Sequence, residues 1–475
     1  MTNRNGKLKA LAKDTGLFAI STFGSKILVF LLTPLYTSIL ATEEFGIADL
    51  ITSIVNLTYP ILTLAISEAT LRFAIEKNEN KNKVFINSIW FVIISTLFLL
   101  ALTPFSKNIY REVSDYWLIF VGVYLSYNVH LVLSNFIKGL GKTKLFAIQA
   151  LVQTLSIVVC NVLFLAIFKW GLKGYILSIY AGFIIPGIII FIFGRIYRYI
   201  FPLSIDIGLL KKMLRYCIPM IPTLMAWAIN SNIDKFMIIG FLGLGESGIY
   251  SVAHRIPTLL ITVLSVFSQA WQLSAINNYG DYDESDYYTS VYRALDIVSV
   301  LGCFIIILLT KFLSALLFAK DYYVAWQFVP FLTISSLYSS NSGFISAAFK
   351  AAKKTNNLFY TVIAGSLVNV ILNFVLIQRI GTIGAAISTM VGFFVVWLFR
   401  ISMVQKIVKI KINLIQTIIS YVALTAAAAF FSFNVPHSYA IVSILFILTM
   451  VVNKREIIHI LSFTGRAIKY LKTRR

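Results

Sequence analysis

Charged residues are scarce in this sequence. Only 13% of the 475 residues are charged, whereas 59% are hydrophobic, and the mean hydropathy is +0.84. A soluble domain carries roughly 25% charged and 45–50% apolar residues, so this composition excludes a soluble globular fold and indicates a polytopic membrane protein. Cysteine is rarer still. Cys160, Cys217 and Cys303 stand in apolar surroundings without metal-ligand or redox spacing, and they are predicted to be small buried residues.

Acidic residues are also few, 19 against 41 basic ones, which gives a net charge of +22. The base-reading motifs and basic stripes of nucleic-acid-binding proteins are missing, so no nucleic-acid partner is predicted. Gly141-Lys142-Thr143 looks like the end of a P-loop, but Phe136 stands where that motif requires Gly. The sequence therefore predicts neither a cofactor nor a metal site, and no means of ATP hydrolysis.

Long apolar runs predict an all-α membrane protein. About 20 residues span a bilayer as a helix, and on this template the sequence holds fourteen transmembrane helices. They begin near Thr15, Ile47, Val84, Tyr116, Phe146, Gly174, Ile218, Ile249, Val291, Ala325, Leu358, Ile383, Leu414 and Ser438. Most basic residues fall in the segments that share a side with the N-terminus, so the positive-inside rule predicts that both termini are cytoplasmic.

The second half of the chain repeats a pattern of the first. Corresponding segments are Glu44-x-Gly46-Ile47 and Glu246-x-Gly248-Ile249, Asn161 and Asn373, and Gly182-Phe183 and Gly392-Phe393. Six helices separate corresponding points, an even number, so the halves have the same orientation. This predicts two six-helix lobes related by a pseudo-two-fold axis along the membrane normal, plus two peripheral C-terminal helices.

The predicted domains are an N-lobe at 1–200, a C-lobe at 201–405, and a third segment at 406–475 that holds the last two helices and a basic cytoplasmic tail. A linker joins the lobes between Arg195 and Tyr216. Asp206 is predicted to cap a short amphipathic helix there, because apolar and basic residues alternate at helical spacing after it.

Charged residues inside the predicted spans are the first candidates for a functional site. Each ionised group at the centre of a membrane helix costs about 2.5–3.5 kcal/mol on insertion scales, so it normally faces a partner or a wet cavity. Lys26 is predicted to be a cation that lines a cavity. Asp234 is predicted to pair with Arg255 across a helical hairpin, which leaves Lys235 or Lys26 for a ligand. A second interpretation gives Arg255 both roles, in different states.

Three further residues, His254, Glu68 and Asp296, are candidates for counter-ions or coupling groups. For His254, a packed histidine and a titrating one are equally good interpretations. Glu68 and Arg72 are predicted to form an i,i+4 ion pair, either as a structural lock or at the site where a substrate enters. Asp296 is predicted to be the buried partner of a cation, and Asp49 to be an interfacial cap.

Four stretches of the chain resemble the polysaccharide-export and O-antigen flippases (Wzx-like) of the multidrug/oligosaccharidyl-lipid/polysaccharide superfamily. They are FLLTPLYTSILATEEFGIADL, SEATLRFAIE, LLKKMLRYCIPMIPT and NIDKFMIIGFLGLGESGIYSVAHRI. The likeness spans nearly the whole chain and is most specific between Asp234 and Tyr250. It implies two six-helix lobes in a V shape, with two extra helices, in the bacterial plasma membrane.

The resemblance also implies a function. Flippases of this family move an undecaprenyl-pyrophosphate-linked oligosaccharide from the inner to the outer leaflet, so membrane lipids and other polysaccharide-assembly membrane proteins are implied as partners. The family's cationic central cavity maps here onto Lys26, Lys235 and Arg255, with Arg72 as a weaker candidate. Asp234, Glu68, His254 and Asp296 are then the candidate counter-ion or coupling residues.

Two other functions remain open. A multidrug or cation antiporter of the same superfamily would need carboxylates in its cavity, where this chain places Lys26. A membrane glycan polymerase would need a large extramembrane loop with catalytic residues, and the predicted outside loops are too short for one.

Overall fold

The computed structural model describes residues 24, 26–106, 114–201, 203–277, 284–352, 354 and 356–458. All regular elements within these ranges are helical, which confirms the predicted all-α fold. The predicted start of the first span near Thr15 and the tail beyond residue 458 lie outside these ranges. Contacts divide the chain into two compact units, 1–235 and 236–475. The domains 1–200, 201–405 and 406–475 remain a prediction.

The helices of the first unit are mostly long and apolar. They are α1 (Lys26–Ile39), α2 (Thr42–Leu62), α3 (Ile66–Ile75), α4 (Lys81–Ala101), α5 (Trp117–Gly139), α6 (Thr143–Asn161), α7 (Gly171–Phe193), α8 (Ile207–Cys217) and α9 (Ile221–Leu242). The π-helical segment Val162–Ile167 continues α6, and α9 crosses the boundary into the second unit.

The second unit continues with eight helices in the described part of the chain. They are α10 (Leu244–Ala253), α11 (Arg255–Asn277), α12 (Glu284–Leu317), α13 (Val329–Ala351), α14 (Asn356–Ile380), α15 (Thr382–Val404), α16 (Leu414–Ser432) and α17 (Ser438–Val452). Within the described ranges, nine helices of the two units are long and apolar enough to cross a membrane. Within the described residues, each of the fourteen predicted spans overlaps a helix or a pair of consecutive helices.

Two predicted spans are interrupted. The second span breaks between α2 and α3, where Leu64 and Ala65 adopt left-handed φ values of 50° and 53°. Non-glycine residues rarely adopt this conformation, so the hydrophobic pattern gives no sign of it. The eighth span breaks at His254, between α10 and α11. Pro257 lacks the N–H that would bond the Ala253 carbonyl, which explains why one continuous helix does not form there.

The predicted linker helix is present as α8 and packs on the first unit. Asp206 caps it as predicted, since its Oδ1 accepts a hydrogen bond from the Leu209 N–H at 2.9 Å. Its Oδ2 accepts one from Lys83 Nζ at 2.7 Å. The Lys83 hydrogen bond is the main cause that holds the pKa of Asp206 below its ordinary value, with the Leu209 N–H adding to it. Leu209 and Met213 pack in an apolar cluster with Ala65 of the first break.

Small residues let α14 and α15 approach closely in the second unit. A Cβ atom added at Gly365 would lie 2.7 Å from the Gly392 carbonyl oxygen. Gly182, which corresponds to Gly392 in the sequence repeat, instead faces the side chain of Ile157 in the first unit. Both halves therefore use a glycine for helix packing, but against different neighbours. All three cysteines are buried and free, as predicted.

An aromatic cage fixes one end of α12. Lys311 Nζ lies 4.5 Å from the ring centroid of Trp326 and 5.4 Å from that of Phe431. The same amine donates a hydrogen bond to Asn434 Oδ1 at 2.7 Å. Cation–π contacts to Lys are favourable when the rings exclude water, so this cage ties α12 to the segment before α13 and to α16.

Candidate functional site

An ion pair at membrane depth joins α2 and α9 in the first unit. Lys235 Nζ lies 2.8 Å from Asp49 Oδ2, and about a fifth of each side chain is exposed, 20% and 19%. One turn away on both helices, Ser53 donates a hydrogen bond to Asn232 Oδ1 at 2.9 Å. The prediction that Asp49 is an interfacial cap is therefore wrong, because Asp49 lies two turns inside α2 and pairs with Lys235. A contact between residues so far apart in the chain leaves no local sequence pattern. That Lys235 also binds a ligand remains a prediction.

Arg72 has a different partner from the one predicted. Its Nε lies 3.3 Å from Glu76 Oε1, and both side chains are largely exposed. Glu68 lies in the first turn of α3, which packs on α5, and interacts electrostatically with Lys138 and Tyr127. The predicted Glu68–Arg72 pair is thus replaced, because the break before α3 directs Glu68 toward α5 and leaves Arg72 to pair with the next residue along its own helix face.

Arg255 lies at the break between α10 and α11 in the second unit. Arg255 is the first residue of α11, and its Nε is a buried donor with no hydrogen-bond partner in the described part of the chain. His254 packs edge-on against Tyr250, with ring centroids 4.8 Å apart, as expected of a packed histidine. Asp234 belongs to the first unit and Arg255 to the second, so their predicted pair stays a prediction.

Lys26 lies in the first described turn of α1, and its side chain is exposed. Exposure at this position fits the predicted cavity-lining cation. Its contact with a substrate stays a prediction.

Asp296 is held by neutral groups instead of a cation. Its Oδ1 accepts hydrogen bonds from Asn341 Nδ2 and from the Tyr421 hydroxyl, each at 2.6 Å. None of the ion pairs in the described ranges includes Asp296. The prediction of a cationic partner is therefore wrong. Three helices, α12, α13 and α16, bring the neutral donors together, and no local sequence pattern shows this.

Arg400 is a buried cation that the sequence analysis missed. Its guanidinium donates from Nε to Thr361 Oγ1 at 3.1 Å and from Nη1 to the Ser342 carbonyl at 3.0 Å, and the residue is only 9% exposed. Both acceptors are neutral. Arg400 looked like the first residue of a cytoplasmic loop, but α15 continues to Val404. The mostly apolar residues on both sides of Arg400, WLF and ISMV, could have indicated that the helix continues past it.

Many apolar helices with polar and charged groups among them define a multi-pass membrane protein. The fold is similar to that of the lipid II flippase MurJ in an inward closed conformation, with a TM-score of 0.69 and 16% identity over 93% of this chain and 99% of that one. An inward-facing multidrug resistance MATE family transporter of the MOP superfamily gives 0.62 and 16%, over 82% and 98%. A MOP superfamily transporter from Pyrococcus furiosus, described as having a binding pocket of reverse polarity, gives 0.56 and 14%, over 83% and 96%.

Sequence comparisons identify the family. A model of the polysaccharide biosynthesis protein family matches residues 11–272, more than half of the chain. The chain belongs to this family. A MatE model also matches residues 219–375. An uncharacterized membrane protein of Methanocaldococcus jannaschii is 24% identical over 424 residues, which cover 84% of this chain and 99% of that protein.

Proposed function

We propose that this transporter is a flippase for a polyprenyl-pyrophosphate-linked oligosaccharide, which it moves from the inner to the outer leaflet of a bacterial plasma membrane for surface polysaccharide assembly. Undecaprenyl is the proposed lipid, and both termini are cytoplasmic in this proposal. Membership in the polysaccharide biosynthesis protein family supports the substrate class. The fold shared with a lipid II flippase supports movement of a lipid-linked sugar.

The buried Nε donor of Arg255 is the observation that carries the proposal. A buried guanidinium N–H without an acceptor is unfavourable by about 1–3 kcal/mol, so a ligand that supplies an acceptor binds favourably. Phosphate oxygens suit this group because guanidinium binds them in bidentate, charge-assisted geometry. Arg400, whose acceptors are all neutral, adds a second positive charge to the same unit.

The chemistry of the substrate requires such a site. A lipid diphosphate cannot enter hydrocarbon with its charge and sugar hydroxyls bare. In this mechanism Arg255, Lys26 and Lys235 take the pyrophosphate, polar side chains hydrate the glycan, and the prenyl chain stays in lipid. Rocking of one lobe against the other then exposes the site on the other side. Outward movement of an uncompensated dianion across about 100 mV, negative inside, gains roughly 4–5 kcal/mol.

The test is lipid-linked oligosaccharide flipping in proteoliposomes, with glycan export in a deletion strain as the cellular readout. Arg255→Gln removes the charge and is expected to lower the flipping rate about 10–100-fold, whereas Arg255→Lys retains part of the activity. Arg379→Gln is the matched control, because Arg379 is exposed in the last turn of α14. Each variant must reach normal membrane abundance. Full flipping by Arg255→Gln would remove the cationic site from the proposal.

A multidrug or cation antiporter is the second candidate. The MatE match and the uncompensated carboxylate of Asp296 favour it. The same proteoliposomes distinguish the two functions, since an antiporter accumulates a cationic dye against an ion gradient and leaves lipid-linked glycan where it is.

A further inference from the structure

We propose that Asp296, Asn341 and Tyr421 form a binding site for a monovalent cation, either a proton or a sodium ion. The site lies within the second unit, at the junction of α12, α13 and α16. None of its three residues is a partner of Arg400 or Arg255 in the described part of the chain, and its role does not depend on which substrate the transporter carries.

The geometry of the three residues leaves one negative charge unbalanced. Asn341 Nδ2 donates both to Asp296 Oδ1 at 2.6 Å and to the Tyr421 oxygen at 3.0 Å, while the Tyr421 hydroxyl donates to the same carboxylate oxygen. Both donors are neutral. Removal of a carboxylate from water costs several kcal/mol unless a positive charge accompanies it. A bound cation or proton supplies that charge.

A second observation points to the same place. Asn341 is fully buried, at 0% exposure, and its Oδ1 has no hydrogen-bond partner among the described residues. An orphaned buried acceptor is unfavourable and rare in proteins. A sodium ion coordinated by this amide oxygen and the carboxylate would satisfy both groups. A proton on Asp296 would neutralise the carboxylate and turn the carboxyl into a donor.

Water can reach the carboxylate from the membrane face at which α16 begins and α17 ends. A cavity of about 30 Å³ opens there, enough for one or two water molecules. Its lining includes Arg293, Asp296, Asn413, Gln416, Asn453 and Glu456. Glu456 Oε2 is another buried oxygen without a hydrogen-bond partner in the described ranges, so two carboxyl groups line one polar path.

The other titratable groups around the site leave Asp296 as its unbalanced charge. From α12 these groups are Tyr292, Arg293 and Cys303, from α13 Tyr338, from α16 Tyr421, and from the end of α17 Glu456. Arg293 is exposed, and its Nε and Nη2 both donate to the Lys411 carbonyl, at 3.1 and 2.9 Å. Tyr292 accepts the Trp397 indole N–H at 2.8 Å. Arg293 is therefore already committed to a backbone oxygen, as is Arg400 on α15, which donates to the carbonyl of Ser342 beside Asn341.

The site gives α16 a role that its place outside the sequence repeat does not suggest. Tyr421 contributes a donor to Asp296, so loading or release of the cation changes the bond between α16 and the α12–α13 pair. The helices that the sequence analysis took as peripheral thus carry one part of a cation site.

The test is carbodiimide labelling of the purified full-length protein in lipid nanodiscs, read by mass spectrometry at each carboxylate. Carbodiimides modify protonated carboxyl groups in apolar surroundings, so Asp296 is expected to be labelled and Asp296→Asn to lose that signal. Asp49, which is paired with Lys235, is the matched control and is expected to stay unmodified. Above the midpoint, labelling is expected to fall about tenfold per pH unit. Protection by sodium at constant pH identifies sodium as the ligand, and dependence on pH alone identifies the proton.

Tyr421→Phe separates a binding role from a structural one. The variant keeps the ring but removes the hydroxyl that stabilises the carboxylate, so labelling is expected to persist to higher pH. The proposal is overturned if Asp296 stays unlabelled at every pH between about 5 and 9. It is equally overturned if labelling ignores both pH and sodium, or if Tyr421→Phe leaves the midpoint where it is.

Discussion

Asp49 in the first unit and Asp296 in the second are carboxylates at membrane depth that are stabilised in different ways. Asp49 has a lysine 2.8 Å away, whereas Asp296 has an amide and a phenol at 2.6 Å. The first unit therefore balances the charge of Asp49 with a lysine of its own, whereas the second holds Asp296 with neutral donors and leaves the Arg255 Nε donor without an acceptor in the described part of the chain. The difference suggests that the ion pair fixes α2 against α9 in the first unit, while Asp296 and Arg255 of the second unit are charges that ligands can balance.

The largest expected effect comes from a broken Lys235–Asp49 pair. Lys235→Met removes the lysine that balances the charge of Asp49, and the free energy of unfolding should fall by about 3 kcal/mol, at the low end for buried pairs because both side chains keep some exposure. Denaturant unfolding in detergent micelles measures this loss. The double variant Lys235→Met/Asp49→Asn is expected to recover most of it. If the effects of the two single variants simply add, the pair is not what stabilises this junction.

Asp296→Asn tests the second carboxylate of the same comparison. No cationic side chain loses its partner in this variant, and the new amide still accepts the Tyr421 hydroxyl. The free energy of unfolding should change by less than about 1 kcal/mol, measured under the same detergent conditions. A loss as large as that of Lys235→Met would mean that Asp296 is paired with a cationic side chain.

Asp206 provides the smallest effect, since it pairs with Lys83 at a surface in contact with water. Its pKa is lowered in the folded protein, so its contribution to stability is present above the ordinary pKa of about 3.9 and is lost as the pH falls through the lowered value. Hydrogen exchange at the first turn of α8 is expected to accelerate as the pH falls below about 4, after correction for intrinsic rates. Asp206→Asn should show a weaker change, and an identical profile in both proteins would contradict the assignment.

The fold followed from sequence because bilayer thickness constrains apolar runs to a narrow range of lengths. The break at Leu64 and Ala65 was missed, since a left-handed backbone at non-glycine residues leaves no trace in hydropathy. The site was only partly predictable. Lys235, Arg255 and Asp296 stood out as charges inside spans, but their surroundings depend on contacts between distant parts of the chain. Arg400 was not predicted to be a buried cation, because the end of a helix and the start of a loop have the same composition.

The aromatic cage around Lys311 indicates the position of α12 along the bilayer normal. Lysine and aromatic side chains gather where hydrocarbon meets water, so Lys311 marks one boundary of the bilayer on α12. The helix between Asp296 and Lys311 is about 22 Å long, against a hydrocarbon thickness of roughly 30 Å. For a helix along the bilayer normal, Asp296 therefore lies about 8 Å inside the opposite boundary, and Arg293 lies about 4.5 Å nearer to that boundary. The length of α12 thus sets the distance between water and the Asp296 carboxylate.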